Sequence, residues 1–320
     1  MPGLFDLPLD ELKRYGGRNP RPADFDEYWQ RAGAELDATD HAVDLVDARF
    51  QVPCARCRHL FFTGVGGARV HAKLLQPAAV AAPGPAVLMF HGYRGSSPEW
   101  SELLGYVAAG FTVAALDCRG QGGESEDPGR VRGNTLYGHI IRGLADGPDR
   151  LLYRQIFLDT AALARIVMAL DDVDAARVGA TGASQGGGLT LACAALEPRI
   201  RRAAPVYPFL CDYQRVWQMD QAERAYRELR DFFRMFDPTH EREHFYFERL
   251  GYIDVQHLAA RIRAQVLMGV GLMDQVCPPS TQFAAYNKIT APKEMVIYPD
   301  FEHEPLPQFR DRVLQFMLDL

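Results

Sequence analysis

The sequence predicts an α/β protein in which helices cover both faces of a mostly parallel sheet. Short apolar runs alternate with helical segments along the 320-residue chain. These runs are continuously apolar, as expected for strands buried on both faces of a parallel sheet. In addition, Gly182-Ala183-Ser184-Gln185-Gly186 follows one such run and precedes a helix-favouring segment. A strand, a sharp turn and a helix are therefore expected around Ser184.

The chain is expected to begin with a helical extension of about residues 1–40. Phe25, Tyr28 and Trp29 recur at helical spacing and predict a helix whose apolar face packs across the main domain. Residues 59–64 and 68–75 then predict an antiparallel hairpin at the edge of the sheet, with two glycines at its turn.

Six further strands are predicted after the hairpin. They are residues 86–90, 112–116, 177–181, 202–206, 265–270 and 294–298. Helical segments between them imply parallel pairing. With the hairpin, this gives a mixed, mostly parallel sheet of about eight strands.

A long connection of about residues 208–262, rich in aromatic and charged side chains, separates two of these strands and shows two helical periodicities. Connections of this length commonly carry function. Two interpretations stay open: a helical insertion that shapes a substrate pocket, or a packed appendage or subunit contact. Residues 1–320 are interpreted as one domain with an N-terminal extension and this insertion.

Composition argues against several classes of partner. Basic residues number 35 and acidic residues 41, giving a net charge of −6 without a basic block, so neither nucleic acid nor an anionic membrane is an expected partner. Apolar runs fall short of the roughly 18 residues that a membrane helix needs. The acidic, proline-interrupted N-terminus is unlike a secretory signal, and a cytoplasmic location with reduced cysteines is expected.

Ser184 is the candidate nucleophile. An acyl-transfer site must hold a serine hydroxyl clear of its own backbone, beside a base and at a helix N-terminus that favours developing negative charge. A sharp turn from strand to helix does this, and the glycines at 182 and 186 leave room for the bend.

His303 and Asp274 are the expected base and acid. His303 follows the last predicted strand across a short polar loop, and Asp274 lies just past the strand before it, so the chain order is Ser, Asp, His. The carboxylate would fix the tautomer of the imidazole. Asp300, on the same loop as His303, and Asp254, in the insertion, are weaker candidates for the acid.

An oxyanion hole needs two donors aimed at the developing alkoxide. The backbone N–H of Gln185, directly after the nucleophile, is one candidate. The backbone N–H of Tyr93, in the glycine-containing loop after residues 86–90, is the other. His91 in that loop is expected to be structural and not a second base.

Three stretches narrow the identification. Residues 119–123 (Arg-Gly-Gln-Gly-Gly), residues 182–187 (Gly-Ala-Ser-Gln-Gly-Gly) and His303-Glu304 resemble the signatures of the acetyl xylan esterase and cephalosporin C deacetylase family, carbohydrate esterase family seven. The resemblance spans nearly the whole chain. It departs at residues 300–302, where the family more often has a glycine before the histidine.

The resemblance implies an α/β-hydrolase that removes acetyl groups from small acetylated sugars, xylo-oligosaccharides and cephalosporin C. It also implies a cytoplasmic homohexamer. No cofactor is expected. Site roles carry over to the matching residues of this chain: Ser184, His303 and Asp274 in catalysis, Tyr93 and Gln185 in the oxyanion hole, and Arg119 and Gln121 as braces of the site. Tyr207 and Pro208 are further candidates, for the substrate pocket.

Two competing functions are weighed against this interpretation. His240-Glu241-Arg242-Glu243-His244 matches H-E-x-x-H, in which two imidazoles on one helix bind zinc. Asp237 and Pro238 predict a helix start just before His240, but the charged flanks favour a solvated or interface helix, and no metal is expected. The other alternative is a non-catalytic relative that serves as a binding or assembly module, against which the intact Ser, Asp and His argue.

Overall fold

Nine strands form one mixed sheet in the part of the chain that the computed structural model describes, residues 5–79, 81–129, 131 and 139–320. The strands are β1 (Asp44–Asp47), β2 (Ala55–Thr63), β3 (Arg69–Pro77), β4 (Gly84–Phe90), β5 (Thr112–Leu116), β6 (Val173–Ala183), β7 (Arg202–Val206), β8 (Gln265–Gly271) and β9 (Lys293–Tyr298). Their order across the sheet is β1-β2-β3-β5-β4-β6-β7-β8-β9.

The sheet is antiparallel at one edge and parallel elsewhere. β1, β2, β3 and β5 pair antiparallel, and the remaining pairs are parallel. The predicted hairpin and the six predicted strands are present. β1 is the strand that the sequence did not indicate, because it is a polar, largely exposed edge strand without the apolar run that marks the others.

Helices lie on both faces of the sheet. They are α1 (Leu9–Leu12), α2 (Phe25–Asp37), α3 (Leu104–Ala108), α4 (Leu152–Met168), α5 (Gln185–Leu196), α6 (Tyr213–Gln218), α7 (Arg227–Phe236), α8 (Glu243–Leu250), α9 (Val255–Leu258), α10 (Pro279–Lys288) and α11 (Phe309–Leu318). Ala86 and Leu88 of β4 pack into the core on the α4 and α5 side, while Val87 packs into the core on the α3 and α11 side. This alternation confirms a sheet buried on both faces.

The predicted N-terminal helix is α2, and it fastens the extension to the domain. Phe25, Tyr28 and Trp29 are buried along one face. Trp29 stacks on Phe157 of α4 at a ring distance of 6.0 Å and donates its indole N–H to the carbonyl of Tyr252. Residues 1–4 of the predicted extension lie outside the described residues.

The long connection between β7 and β8 contains four helices, α6 to α9, where the sequence suggested two. The expected helix start at Asp237 and Pro238 is wrong, since α8 begins only at Glu243. His240 precedes that helix and has a left-handed backbone (φ 57°), which ends helical continuity at this point. Among the described residues, no helix is both long and apolar enough to span a bilayer.

Candidate active site

The turn from β6 to α5 holds Ser184 in a strained conformation. β6 ends at Ala183 and α5 begins at Gln185, so Ser184 is the single residue between them, with φ 59° and ψ −118°. Such values are costly for a residue with a Cβ and persist only where the surroundings enforce them. A Cβ on Gly186 would lie 2.0 Å from the carbonyl oxygen of Phe90, so this position must be glycine for the turn to fit beside β4.

Ser184, His303 and Asp274 form a continuous chain of hydrogen bonds. Nε2 of His303 lies 2.9 Å from Oγ of Ser184, and Nδ1 lies 2.8 Å from Oδ2 of Asp274. An ionised carboxylate only accepts, so Nδ1 carries the ring proton and Nε2 presents its lone pair to the serine hydroxyl. This arrangement can remove a proton from Ser184.

Asp274 is held rigidly in the loop after β8. Its side chain is fully buried, and Oδ1 accepts the backbone N–H groups of Val276 and Cys277, each at 2.8 Å. The two weaker candidates lie elsewhere. Asp300 is exposed, and Asp254 accepts hydrogen bonds from Asp212 and Gln256 in the insertion.

The loop after β4 forms a tight turn beside the turn that holds Ser184. Gly95 donates to the carbonyl of Gly92 at 3.0 Å, and Arg94 adopts φ 60°. Within the described residues, the backbone N–H groups of Tyr93 and Gln185 donate to no protein acceptor. Two free donors at a strand end and a helix N-terminus are suited to an anionic oxygen.

The side chains of Gln121 and Gln185 connect the loop after β4 to the start of α5. Gln121 accepts the N–H of Arg94 at 2.8 Å and donates to Oε1 of Gln185, also at 2.8 Å. The hydroxyl of Tyr153 donates to the same oxygen at 2.6 Å. Arg119 is turned away into the core, where it forms a bidentate pair with Asp159 of α4 at 2.5 and 2.6 Å. Gln121 therefore contacts the loops of the site directly, whereas Arg119 ties the loop after β5 to α4.

His91 is occupied on both ring nitrogens. Nε2 accepts the N–H of Cys118 at 3.0 Å, so Nδ1 carries the proton and donates to the carbonyl of Gly92 at 2.7 Å. Burial lowers the pKa of His91, which keeps the ring neutral. The ring of His91 therefore connects the loop after β4 to the loop after β5.

The two expected pocket residues occupy different environments. Tyr207, with φ 31°, places its ring 4.6 Å from the ring of His303 and lines a cleft of about 690 Å³. Pro208 is buried against Gly187 at the start of α5 and does not line that cleft. Gly182, Ala183 and Leu306 also line this cleft, whereas Ser184 and His303 do not.

Glu228 is a buried residue near the site that the sequence did not single out. It lies on α7, accepts a hydrogen bond from the hydroxyl of Tyr93, and accepts the N–H groups of Ile140 and Ile141 at 2.7 and 3.2 Å. Burial, only partly offset by these hydrogen bonds, raises the pKa of Glu228 to about 7. This amphipathic helix has two acidic residues, Glu228 and Asp231, and the sequence does not indicate which one turns inward.

Two groups of side chains among the described residues have metal-ligand geometry, and neither includes His240 or His244. One contains Asp274, Cys277 and His303, where burial raises the pKa of the Cys277 thiol well above its usual range and keeps it protonated. The other lies on the β2–β3 hairpin and the loop after β5. Because His240 precedes α8, the two imidazoles of the H-E-x-x-H string do not share a helix.

Comparison with known proteins gives one consistent family. The profile described as acetyl xylan esterase (AXE1) matches residues 2–320. The structure is similar to acetyl xylan esterase 1 from Thermoanaerobacterium sp. JW/SL YS485 (58% identity, TM-score 0.97, 98% of this chain and 99% of that one). It is also similar to the acetyl xylan esterase from Paenibacillus sp. R4 (35% identity, TM-score 0.91, 97% and 99%).

A curated relative is more distant and longer. Acetyl esterase Axe7A of Xylanibacter ruminicola is 30% identical over 202 residues, which is 62% of this chain and 44% of that protein, so the match spans less than half of the relative's length. An acylaminoacyl peptidase of Pyrococcus horikoshii, 15% identical with a TM-score of 0.59, shares the α/β-hydrolase fold. The family resemblance seen in the sequence is confirmed.

Proposed function

This chain belongs to the acetyl xylan esterase family of carboxylic ester hydrolases, and from that premise we propose that it is a serine esterase that removes acetyl groups from small acetylated carbohydrates. The proposal is carried by one observation, the pair of hydrogen bonds that joins Ser184 to His303 and His303 to Asp274. It assigns the nucleophile to Ser184, the general base to His303 and the orienting acid to Asp274.

The first half of the reaction transfers the acetyl group to the enzyme. Oγ of Ser184 attacks the acetyl carbonyl carbon while its proton passes to Nε2 of His303. The buried charge of Asp274 stabilises the imidazolium through Nδ1. Collapse of the tetrahedral intermediate breaks the ester C–O bond, and His303 returns the proton to the sugar oxygen.

The second half regenerates the serine. A water molecule attacks acetyl-Ser184 as His303 takes one of its protons, and acetate leaves when the proton returns to Oγ. In both halves the backbone N–H groups of Tyr93 and Gln185 would bind the oxyanion, because they are free donors on either side of the nucleophile. The Gln121 contact with both loops supports its role as a brace.

We infer a narrow acyl pocket from the aromatic wall beside the nucleophile. Phe209 donates its N–H to the carbonyl of Ser184 at 2.9 Å, and its buried ring lies 5.4 Å from that of Tyr93 and 4.4 Å from that of Tyr226. Rings packed this closely leave little room for an acyl chain longer than acetyl. Acetylated xylo-oligosaccharides are the substrates we favour, with cephalosporin C as a second acetyl ester. Tyr207, whose ring lies 4.6 Å from that of His303, would contact the alcohol part.

A rate series on acetyl, propionyl, butyryl and octanoyl esters of one alcohol tests the acyl pocket. We expect kcat/KM to fall sharply after propionyl. A rate that stays level through octanoyl would refute the narrow pocket but would leave the esterase assignment intact. Comparison of acetylated xylo-oligosaccharides with cephalosporin C at equal concentration then ranks the two leaving groups.

The insertion of about residues 208–262 is proposed to shape the site. Glu228 on α7 accepts from the hydroxyl of Tyr93, so this segment contacts the loop that carries a proposed oxyanion donor. That contact favours the pocket-shaping interpretation over a remote appendage. We retain the description of residues 1–320 as one domain with an N-terminal extension and this insertion.

A cytoplasmic homohexamer is also proposed, and it rests on the family resemblance. Sedimentation velocity of the purified protein tests the assembly, for which a single species of six chains is expected. Fractionation of the native cells tests the location. A stable monomer, or a protein recovered outside the cytoplasm, would contradict the respective statement.

A further inference from the structure

A group of metal-binding side chains lies apart from Ser184, on the β2–β3 hairpin and the loop after β5. It consists of His59 on β2, His71 on β3 and Glu124 on that loop, and the ligand atoms all lie within 4.8 Å of one another. Imidazole and carboxylate are ligands that zinc prefers. The reaction proposed above uses none of these three side chains.

The spacing of the ligand atoms suits a tetrahedral ion. Nδ1 of His59 lies 2.9 Å from Nε2 of His71 and 3.7 Å from Oε1 of Glu124. Zinc bonds of about 2.0–2.1 Å place ligands about 3.3 Å apart in a tetrahedron. The observed distances bracket that value, so small side-chain rotations bring the three atoms into position.

The far side of His71 is already fixed. Its Nδ1 lies 2.6 Å from Oδ2 of buried Asp117, which also accepts the N–H of Ser97 at 2.7 Å through Oδ1. A carboxylate bound to the second nitrogen of a ligand imidazole sets the tautomer and orients the ring toward the metal. Nε2 of His71, on the opposite side of the ring, therefore accepts from Nδ1 of His59 at 2.9 Å.

The group is open on one side. His71 is buried and His59 is partly buried, whereas the Glu124 side chain is 57% exposed and gives an ion and a water ligand access. Lys73 is paired with His59 across the strands, but its ammonium donates to the carbonyl of Pro98 at 2.6 Å. The positive charge of Lys73 is thereby held at a backbone carbonyl.

We propose that His59, His71 and Glu124 bind one Zn²⁺ per chain, with water as the fourth ligand. When the ion binds, Nδ1 of His59 loses the proton that it shares with Nε2 of His71, and Nε2 of His59 takes one up, so that His59 coordinates as a neutral imidazole. The ion links the hairpin to the loop after β5. It is structural, since β3 and β6 are separated by three strand spacings, about 14 Å at roughly 4.8 Å each, which is too far for contact with an ester at Ser184.

Calorimetric titration of metal-free protein with Zn²⁺ tests the site, together with the melting temperature at each concentration. We expect one Zn²⁺ per chain with a micromolar or lower Kd, and a melting temperature that rises with Zn²⁺. His59→Ala should abolish binding, and Glu124→Gln should weaken it at least tenfold. The Glu124 change lies on the surface, so it decides the question if His59→Ala fails to fold.

Two matched variants locate the ion. His240→Ala removes an exposed histidine that also pairs with a glutamate, Glu243 at 2.9 Å, and should leave binding unchanged. His303→Gln disrupts the other metal-type group and should also leave it unchanged. The proposal is overturned by the absence of binding at millimolar Zn²⁺, by binding that survives in His59→Ala and Glu124→Gln, or by binding lost only in His303→Gln. Its failure would not affect the esterase proposal.

Discussion

Asp274–His303 and Asp117–His71 are two versions of the same carboxylate–imidazole pair in one molecule. Each aspartate follows a strand of the sheet, is buried, accepts two backbone N–H groups and bonds Nδ1 of its histidine, at 2.8 and 2.6 Å. The pairs differ in what faces Nε2. For His303 it is the hydroxyl of Ser184, and for His71 it is the ring of His59.

This difference shows that the pair alone does not define a function. A buried carboxylate fixes the tautomer of its histidine in either place. The chemistry then depends on the third group: a strained serine at a helix N-terminus favours acyl transfer, whereas a second imidazole with a nearby glutamate favours metal binding. Four predictions test this contrast, in order of decreasing effect.

Ser184→Ala should have the largest effect. We expect kcat on short acyl esters to fall on the order of 10⁵–10⁶-fold, since the nucleophile is gone. A fluorophosphonate should label the wild type stoichiometrically at Ser184. The matched control is Ser125→Ala, which removes the hydroxyl that accepts from the N–H of His71 beside the other pair and should leave hydrolysis near the wild-type rate. Labelling at another serine would end the assignment.

Asp274→Asn should lower kcat by about 10³–10⁴-fold, because the amide no longer holds the histidine in the productive tautomer. Steady-state kinetics at constant pH measure this, with circular dichroism to check folding. A loss of less than tenfold would show that another acid orients His303.

Asp117→Asn should mainly lower stability. Three donors, from His71, Ser97 and Glu124, converge on this carboxylate, and an amide cannot accept from all of them. We expect a loss of about 1–3 kcal/mol in the free energy of unfolding, the cost of a buried donor left without an acceptor. Urea unfolding in buffer with a chelator measures it. The expected fall in kcat is below tenfold, and a loss as large as that of Asp274→Asn would remove the distinction between the two pairs.

Glu228 sharpens the contrast because it is a buried carboxylate without an imidazole partner. Burial acts to raise the pKa of Asp117, but its hydrogen bonds outweigh this and lower that pKa to about 2, whereas burial dominates at Glu228 and raises its pKa to about 7. A raised folded-state pKa means that ionisation opposes folding, so the wild type should lose about 3 kcal/mol as pH rises from about 4.5 to 7.

Glu228→Gln should remove that loss, since the amide oxygen still accepts and carries no charge. Unfolding free energies measured from pH 4.5 to 8 for both proteins give the comparison. Parallel curves would show that Glu228 is not the group responsible.

The first pair was accessible from sequence and the second was not, for a physical reason. Ser184, Asp274 and His303 each lie on a loop at the carboxyl end of a parallel strand, and such ends meet along one edge of the sheet. Their order along the chain was enough to select them. His59 and His71 are diagonal neighbours on the antiparallel pair of β2 and β3, where His59 lies opposite Lys73 and His71 opposite Phe61, and nothing in their local sequence indicates that register.

Other features could not be predicted from the sequence, because tertiary contacts determine them. β1 lacks an apolar run because it is an exposed edge, and Glu228 resembles the other acidic residue of α7, Asp231. The H-E-x-x-H string was assigned a helix start six residues too early, because His240 takes a left-handed conformation that its type does not predict. The strands and the sharp turn at Ser184 were predictable because continuous apolar runs are typical of buried strands, and glycines on both sides of a serine are typical of a tight turn.

The amide bridge between Gln121 and Gln185 has a consequence for the conditions under which this protein can work. Both partners are neutral, and their hydrogen bonds are 2.8 and 3.1 Å long and partly buried. Dissolved ions screen separated charges strongly but affect such contacts little. The distance between the loop after β4 and the start of α5 should therefore be the same in concentrated brine as in dilute buffer.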